Sequence, residues 1–308
     1  MDLGGLQVEQ RGILLESGTN ELEVIAFEVG TSLFGINVMK VREIIQAPAV
    51  TPMPNSHPHV EGIIRLRDEV LTVVNLSNVL GLAPSEKPEQ DKLIISELNQ
   101  IKVAFRVHNV SRIHRISWEQ IEKPAELSQG IENACTGIVK MDEQMILLLD
   151  FEKIVVEINP EKGINVSQVK VLGERERSQK KIVVAEDSAM LRKLLYETLS
   201  EAGYEQVTFF EHGKAAWDYL EFLHNQVGSN IKDEVQLIIT DVEMPQMDGH
   251  HFTKRIKEND LLSKIPVIIF SSLITKDLYH KGKGVGADAQ VSKPEIVKLI
   301  ETIDQLIL

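Results

Sequence analysis

The sequence predicts two domains of different class, an all-β domain followed by an α/β domain built on an open parallel sheet. Three observations predict this. The chain has 308 residues, about twice a typical domain of roughly 150. Short apolar runs punctuated by Gly, Pro and Asn fill the first half, with few helical stretches between them. In the second half apolar strands alternate with amphipathic helices.

Taken in order, residues 1–20 form an N-terminal segment and residues 21–158 the first domain. Its strand-like runs are Leu22–Val29, Leu33–Val38, Val60–Leu66, Val70–Leu76, Lys92–Leu98, Ile101–Val107, Ile113–Trp118, Thr136–Met141 and Met145–Asp150. Such regular spacing predicts a barrel or a sandwich, and period-two alternation does not distinguish them. Val41, Ile44 and Ile45 fall at i, i+3 and i+4, so Met39–Ile45 reads as a short helical insertion, as does Leu76–Leu80. Residues 159–180, polar and of mixed charge toward their end, read as the interdomain connection.

Residues 181–308 form the second domain. Lys181–Ala185 is an apolar strand running into Glu186 and Asp187. Ser188 can cap a helix whose Leu191, Leu194, Leu195, Thr198 and Leu199 share a face before Gly203 stops it. The unit recurs as Val207–Phe210 with Gly213–Leu223, Val235–Thr240 with Gly249–Lys257, Pro266–Phe270 with Thr275–Lys281, and Asp288–Val291 with Pro294–Leu306. An extended loop is expected near His224–Glu234.

Composition narrows the function. With 33 basic against 46 acidic residues and a formal charge of −13, the chain is a poor match for nucleic acid or anionic membrane surfaces. One cysteine, Cys135, allows no intrachain disulfide and no cysteine zinc cluster, as expected of a reducing compartment. Met1–Arg11 lacks a secretory pattern and apolar runs such as Met145–Leu149 fall far short of a membrane span, so a soluble cytoplasmic protein is expected.

In parallel α/β sheets ligands bind beyond the carboxyl ends of the strands, so the residues just past each strand carry the chemistry. Here they are Glu186 and Asp187 after the first strand, Asp241 after the third, Ser271 after the fourth and Lys293 after the fifth. Carboxylates gathered in one cleft repel unless a cation offsets them. Mg²⁺ suits the set, with Asp187 and Asp241 as direct ligands and Glu186 nearer the water shell. Lys293 can bind a phosphoryl oxygen and Ser271 can donate to another. A lone strand-end Asp is commonly a turn or cap, but five matched positions on alternating strands describe a site. Lys281–Gly286 lacks the spacing of a phosphate loop and reads as a helix stop, while His57 with His59 and His250 with His251 read as surface or packing residues.

On these residues, together with Asp241–Gly249 (DVEMPQMDG) and Lys293-Pro294, the second half resembles the receiver domain of bacterial response regulators. The resemblance implies a flavodoxin-like (βα)₅ fold. It also implies Asp241 as acceptor of a phosphoryl group from a kinase phosphohistidine, and Mg²⁺ as cofactor with the Glu243 backbone carbonyl completing its site. Lys293, Ser271 and the residue at 290 would form the switch. Receivers usually carry an aromatic residue three before the lysine, and this chain has Gln290.

The first half resembles the CheW family of chemotaxis coupling proteins, through Phe34–Ile44, Val60–Arg67, Val70–Leu76, Thr136–Ile138 and Met145–Asp150. The fused order, with Ile13–Leu22 in front, is similar to the CheV family. These resemblances imply two small β-barrels with a groove gripping the helical tip of a chemoreceptor. They imply the histidine kinase CheA and chemoreceptors as partners, and a cytoplasmic protein associated with membrane-anchored receptor arrays. Val38, Val41 and Ile44 are candidate groove residues, with core packing the alternative for each; Glu43 is the polar candidate on that surface. Arg67 matches the arginine of the family's Leu-Arg-Gly turn, where Asp68 replaces the glycine, so Arg67 either meets a partner or pairs locally. The implied function is a non-enzymatic adaptor regulated at Asp241. The alternative is a tethered phosphate sink draining the kinase. A transcription factor would need a basic reading domain, and neither half is net basic.

Overall fold

A computed structural model of the chain describes residues 21–98, 101–122, 135–141, 144–272 and 276–308. The N-terminal segment 1–20 lies outside the described residues, and the chain divides into two compact units with the boundary in sequence between Pro160 and Glu161.

The first unit contains strands β1 (Glu21–Val29), β2 (Ser32–Asn37), β3 (Val41–Gln46), β4 (Val60–Leu66), β5 (Glu69–Asn75), β6 (Lys92–Leu98), β7 (Ile101–Val107), β8 (Asn109–Ser117), β9 (Ile121–Glu122), β10 (Cys135–Lys140) and β11 (Met145–Leu149). One sheet has the order β8-β1-β2-β11-β10-β9 and the other β3-β6-β7-β5-β4. Pairing is antiparallel except for β11 with β2 and β5 with β7. Alternate residues fill each interior: Val24, Ala26, Val139, Ile146 and Leu148 in the first sheet, Ile64, Leu71, Val73, Leu93 and Ile95 in the second. Helix α1 (Leu76–Leu80) starts where the Asn75 side chain accepts the Ser77 N–H at 2.9 Å, and ends at Gly81, whose φ of 64° favours a residue without Cβ. Helix α2 (Phe151–Ile158), capped by Asp150 on the Lys153 N–H, joins the two sheets: the Phe151 ring lies 6.1 Å from Phe27 in one and 4.7 Å from Phe105 in the other.

One expected helix is a strand. Val38–Lys40 forms a single 3-10 turn, and Val41 then opens β3 instead of continuing a helix over Met39–Ile45. The i, i+3 spacing that reads as helical is produced by a bulge. Val41 pairs with Ser96 and Ile44 with Ile94, while Glu43 pairs with Ile95 and Ile45 with Leu93. The irregularity between Val41 and Glu43 inserts one residue, so Val41 and Ile44 share a face that strict alternation would split.

In the second unit, β12 (Ser178–Ala185), β13 (Tyr204–Phe210), β14 (Leu237–Thr240), β15 (Val267–Ser271) and β16 (Ala289–Ser292) form a wholly parallel sheet ordered β13-β12-β14-β15-β16. Both faces are covered, which is why its strands are continuously apolar. Ile182 and Val184 meet α3 (Ala189–Glu201) and α8 (Ile296–Ile307); Val183 and Ala185 meet α4 (Gly213–Val227) and α6 (Gly249–Glu258). The loop expected near His224–Glu234 is largely helical. Leu220, Leu223 and Val227 continue the apolar stripe of α4, and buried Ile231 anchors a short α5 (Ile231–Glu234). Helix α7 (Lys276–Gly284) runs through the glycine-rich stretch that reads as a stop, and Gly286 beyond it takes φ 89°. Residues 161–180 fold with this unit: Val166–Leu172 is a 3-10 segment whose Val169 is buried in the core shared by α3 and α8.

Candidate functional site: a carboxylate and lysine cluster at the strand ends

Parallel strands end side by side, and the register of this sheet brings the end of β12 level with that of β14: Ala185 pairs with Thr240, so Glu186 and Asp241 emerge adjacent. On the far side Ser271 pairs with Ser292, placing Lys293 at the same edge. The Lys293 side chain then crosses the cleft, its Nζ 2.7 Å from Glu186 Oε2 and 3.0 Å from Asp241 Oδ2. All three are buried, at 2 %, 1 % and 7 % exposure respectively. One ammonium thus offsets two enclosed carboxylates. Glu186 is still raised to about 7, by burial first and by the charge of Asp241, with Lys293 opposing. The free faces of the carboxylates are held by backbone donors, Val242 N–H to Asp241 Oδ1 at 2.6 Å and Ser188 N–H to Glu186 Oε1 at 3.2 Å.

The loop that follows β14 has little freedom. Thr240 Oγ1 donates to the Asp241 carbonyl at 2.9 Å, Gly249 N–H donates to the Val242 carbonyl at 3.0 Å, and Asp248 caps α6 through the His251 N–H. A Cβ on Gly249 would lie 1.9 Å from the Asp241 carbonyl oxygen, so the close approach of α6 to Asp241 requires glycine. Glu243, half-buried, lies in this loop, and Ser271 is fully buried at the end of β15.

Carboxylate oxygens of Glu186, Asp187 and Asp241 all lie within 4.8 Å of one another. An all-oxygen donor set with Asp187 exposed to water fits a hard divalent cation that keeps part of its hydration shell. A further residue shapes this corner and carries only a faint trace in sequence. Arg192 donates to the Glu186 and Asp187 carbonyls, both at 2.8 Å, and pairs with Glu211 at 3.5 Å. Its trace is a cation in the first turn of a helix, where the macrodipole disfavours one unless carbonyls or carboxylates receive it.

Gln290, at the position where receivers carry an aromatic residue, donates its Nε2 to the Tyr279 carbonyl at 2.8 Å. Its amide lies against Gly282, where a Cβ would meet it at 2.3 Å. The amide therefore fastens β16 to α7.

His250 is a further buried titratable group, 1 % exposed on α6, and its Nε2 has no hydrogen-bond partner among the described residues. Burial, with the charge of Lys281 next, lowers it to about 4 against the opposing effects of Asp248 and a backbone hydrogen bond at Leu278. The unfolded imidazole takes up a proton near 6.5, whereas the native one refuses it until about 4. Acidification through that window therefore costs this unit up to about 3 kcal/mol. Hydrogen-exchange protection of α6 should fall less steeply with acid in His250→Gln than in the wild type; identical slopes would rule out this assignment.

In the first unit Val38, Val41, Glu43 and Ile44 are all half-buried, and Arg67 is exposed. Arg67 takes φ 56° in the two-residue connection of β4 to β5, so the strain of the glycine-less turn falls on it and not on Asp68. It reaches back to Glu43, Nη2 to Oε2 3.0 Å. The structure thus brings Glu43 and Arg67 together, while Val41 and Ile44 share the opposite face of β3. His57 and His59 stack edge to face at 4.7 Å, and no third metal-ligating side chain joins them among the described residues.

Comparison with known families agrees with both halves. Residues 23–159 match the CheW-like domain and residues 182–304 the response regulator receiver domain. The chemotaxis protein CheV3 of Helicobacter pylori is 30% identical over 94% of this chain and 95% of its own. CheW of Thermotoga maritima is 31% identical over 49% of this chain and 98% of its own. The solved scaffolding protein TtCheW of Thermoanaerobacter tengcongensis, 25% identical, covers 45% of this chain and 94% of its own with a TM-score of 0.42.

A CheW-like β domain followed by a receiver with its strand-end cluster defines a fused chemotaxis signalling protein. The relation to CheV3 spans nearly the whole of both chains, and the chain belongs to the CheV family. Receiver domains generally bind Mg²⁺, and an acidic cluster of Glu186, Asp187 and Asp241 that could hold a metal ion is present here. No helix among the described residues is long and apolar enough to cross a membrane.

Proposed function

We propose that this protein is an adaptor that couples chemoreceptors to the histidine kinase CheA, with the coupling set by phosphorylation of Asp241. The observation that carries the reading is that a CheW-like domain and a receiver domain in which Lys293 bridges Glu186 and Asp241 share one chain. The β domain supplies binding: Val38, Val41 and Ile44 offer apolar surface to a receptor helix, each worth about 1.5–3 kcal/mol if fully buried, while the Glu43–Arg67 pair offers a separate polar surface on the other face of β3.

The receiver supplies a reversible charge. An Asp241 carboxylate oxygen attacks the phosphorus of a kinase phosphohistidine; the new O–P bond forms as the P–N bond breaks, and the departing imidazole takes a proton from solvent. Lys293, already 3.0 Å from Asp241, neutralises the transferred oxygens, and the Ser271 hydroxyl donates to another. Glu186, Asp187, Asp241 and the Glu243 carbonyl would hold Mg²⁺, which when bound offsets phosphoryl charge. Water attack on the acyl phosphate later releases inorganic phosphate and restores the carboxylate. Gaining the phosphoryl group draws Lys293 away from Glu186 and shifts the population of the loops around 271–293. The chemistry is confined to the protein's own modification, as befits an adaptor rather than an enzyme with a separate substrate. Such a protein works in the cytoplasm at receptor arrays.

The test is kinase activity in reconstituted receptor–CheA arrays, comparing wild type with Asp241→Ala, each with and without a phosphoryl donor and Mg²⁺. The donor is expected to change receptor control of CheA only when Asp241 is intact. Identical coupling with altered phosphate turnover alone would make the receiver a sink.

A further inference from the structure

The segment joining the two units is built into the receiver. Val169 is 2 % exposed within the α3 and α8 core, with Ile164 and Leu172 packed beside it. Further on, Arg175 donates from Nε to the Ala202 carbonyl at 2.9 Å and from Nη2 to Asp304 Oδ1 at 2.5 Å. The hydroxyl of buried Tyr204 donates to the same carboxylate oxygen at 2.5 Å. Ser178 N–H donates to the Gly203 carbonyl at 2.8 Å, and a Cβ on Gly203 would meet the Glu176 carbonyl oxygen at 2.6 Å. Hydrophobic seating, a half-buried ion pair and a close backbone crossing thus fix residues 164–178 to the receiver.

What they are fixed to reaches the acceptor site. Helix α8 begins at Ile296, three residues after Lys293, and ends beyond Asp304, so a helix about 18 Å long follows directly on the short connection bearing the site's lysine and carries the anchor of Arg175 in its last turn. At its own start the strap is covalently joined to α2 through residues 159–163, which span no more than about 18 Å even when extended. Helix α2 in turn carries Phe151, the side chain lodged between the two sheets of the coupling unit.

We propose that residues 164–178 are a transmission strap: a change at the acceptor cluster moves α8, and Arg175 bound to Asp304 passes that movement to α2 and so to the coupling unit. This rests on the proposed phosphorylation of Asp241 and adds the route by which it is read. A chain tied down on one side and short on the other turns a small shift of α8 into a displacement at α2, where a flexible linker would absorb it.

Hydrogen exchange on the full chain, with and without beryllofluoride and Mg²⁺ as an aspartyl-phosphate mimic, separates the possibilities. In wild type the amides of 241–249, of 164–178 and of α2 should all change, those of α2 by about fivefold. In Arg175→Met the 241–249 response should persist while the α2 response is lost, and Arg175→Lys should restore part of it. Asp304→Asn, which keeps an acceptor for Tyr204, gives the same test should Arg175→Met loosen the fold. If 241–249 responds but 164–178 and α2 do not, or if α2 responds equally in the variants, the strap is a static anchor and the inference fails with the proposed function intact. If 241–249 itself does not respond, the phosphoacceptor reading fails and the strap falls with it.

Discussion

Lys293→Met is expected to destabilise the receiver unit by about 3 kcal/mol in magnesium-free buffer above neutral pH. The reason lies in what the ammonium leaves behind. Glu186 and Asp241 are both buried, both within 3.0 Å of Lys293 Nζ, and have no other cation in the cluster among the described residues. Removing one partner of a buried ion pair exposes the remaining charge to the full cost of its lost hydration. The loss should depend on pH with a definite sign. Glu186 already sits at about 7 with Lys293 present, and without that opposing charge it rises further. A raised carboxyl makes the native state bind more protons than the unfolded one above pH 4.5, so stability falls as pH rises through that range and recovers on acidification. Added Mg²⁺ should stabilise the variant more than the wild type, because at these carboxylates it no longer competes with an ammonium. Exchange protection of β12 and β14, measured at pH 6 and pH 8 with and without Mg²⁺, reports all three effects; a variant as protected as wild type at pH 8 without metal would contradict the argument.

Gly249→Ala should be nearly as damaging, by geometry rather than charge. The added methyl would stand 1.9 Å from the carbonyl oxygen of Asp241 and 3.1 Å from Thr240 Oγ1. The first is backbone at the end of a central strand, so relief requires moving either α6 or Asp241 itself. Overpacking of this kind costs about 1–3 kcal/mol, and a backbone clash belongs at the upper end. The functional loss should be larger, since displacing a reacting group by about 1 Å can cost a hundredfold in rate. Phosphoryl incorporation from acetyl phosphate and Mg²⁺ is therefore expected to fall about a hundredfold. Gly284→Ala is the matched control, because its Cβ would meet nothing within 4 Å and its φ is ordinary. Equal incorporation in Gly249→Ala and wild type would show that the acceptor loop tolerates the shift.

Much of the site is legible in sequence because in a parallel sheet chemistry follows the strand. Glu186, Asp241, Ser271 and Lys293 are each the covalent neighbour or last residue of an apolar run, and parallel register alone brings such residues to one edge. The alternation of Ile182 and Val184 with Val183 and Ala185 likewise settles which residues meet which helices. The β domain is less legible. Val41 and Ile44 fit a helical spacing as well as they fit a bulged strand, and only pairing with Ile94 and Ser96 on β6 separates the two. The stretch His224–Glu234 looks like loop because its polar residues outnumber Val227 and Ile231, yet it is largely helical with Ile231 buried.

By itself, then, the sequence determined the two classes of domain, the five strand-end positions and the family, since all of these are written in residues adjacent along the chain or repeated at a fixed period. Only the tertiary structure decided that Lys293 lies between Glu186 and Asp241, that Arg192 holds the carbonyls of the acidic pair, that Arg67 folds back on Glu43, and that the connecting segment belongs to the receiver through Arg175 and Asp304, 129 residues apart. Those pairings leave no local pattern: each is one charge meeting another after the core has packed, and it is the packing of the apolar residues that sets where the charges arrive.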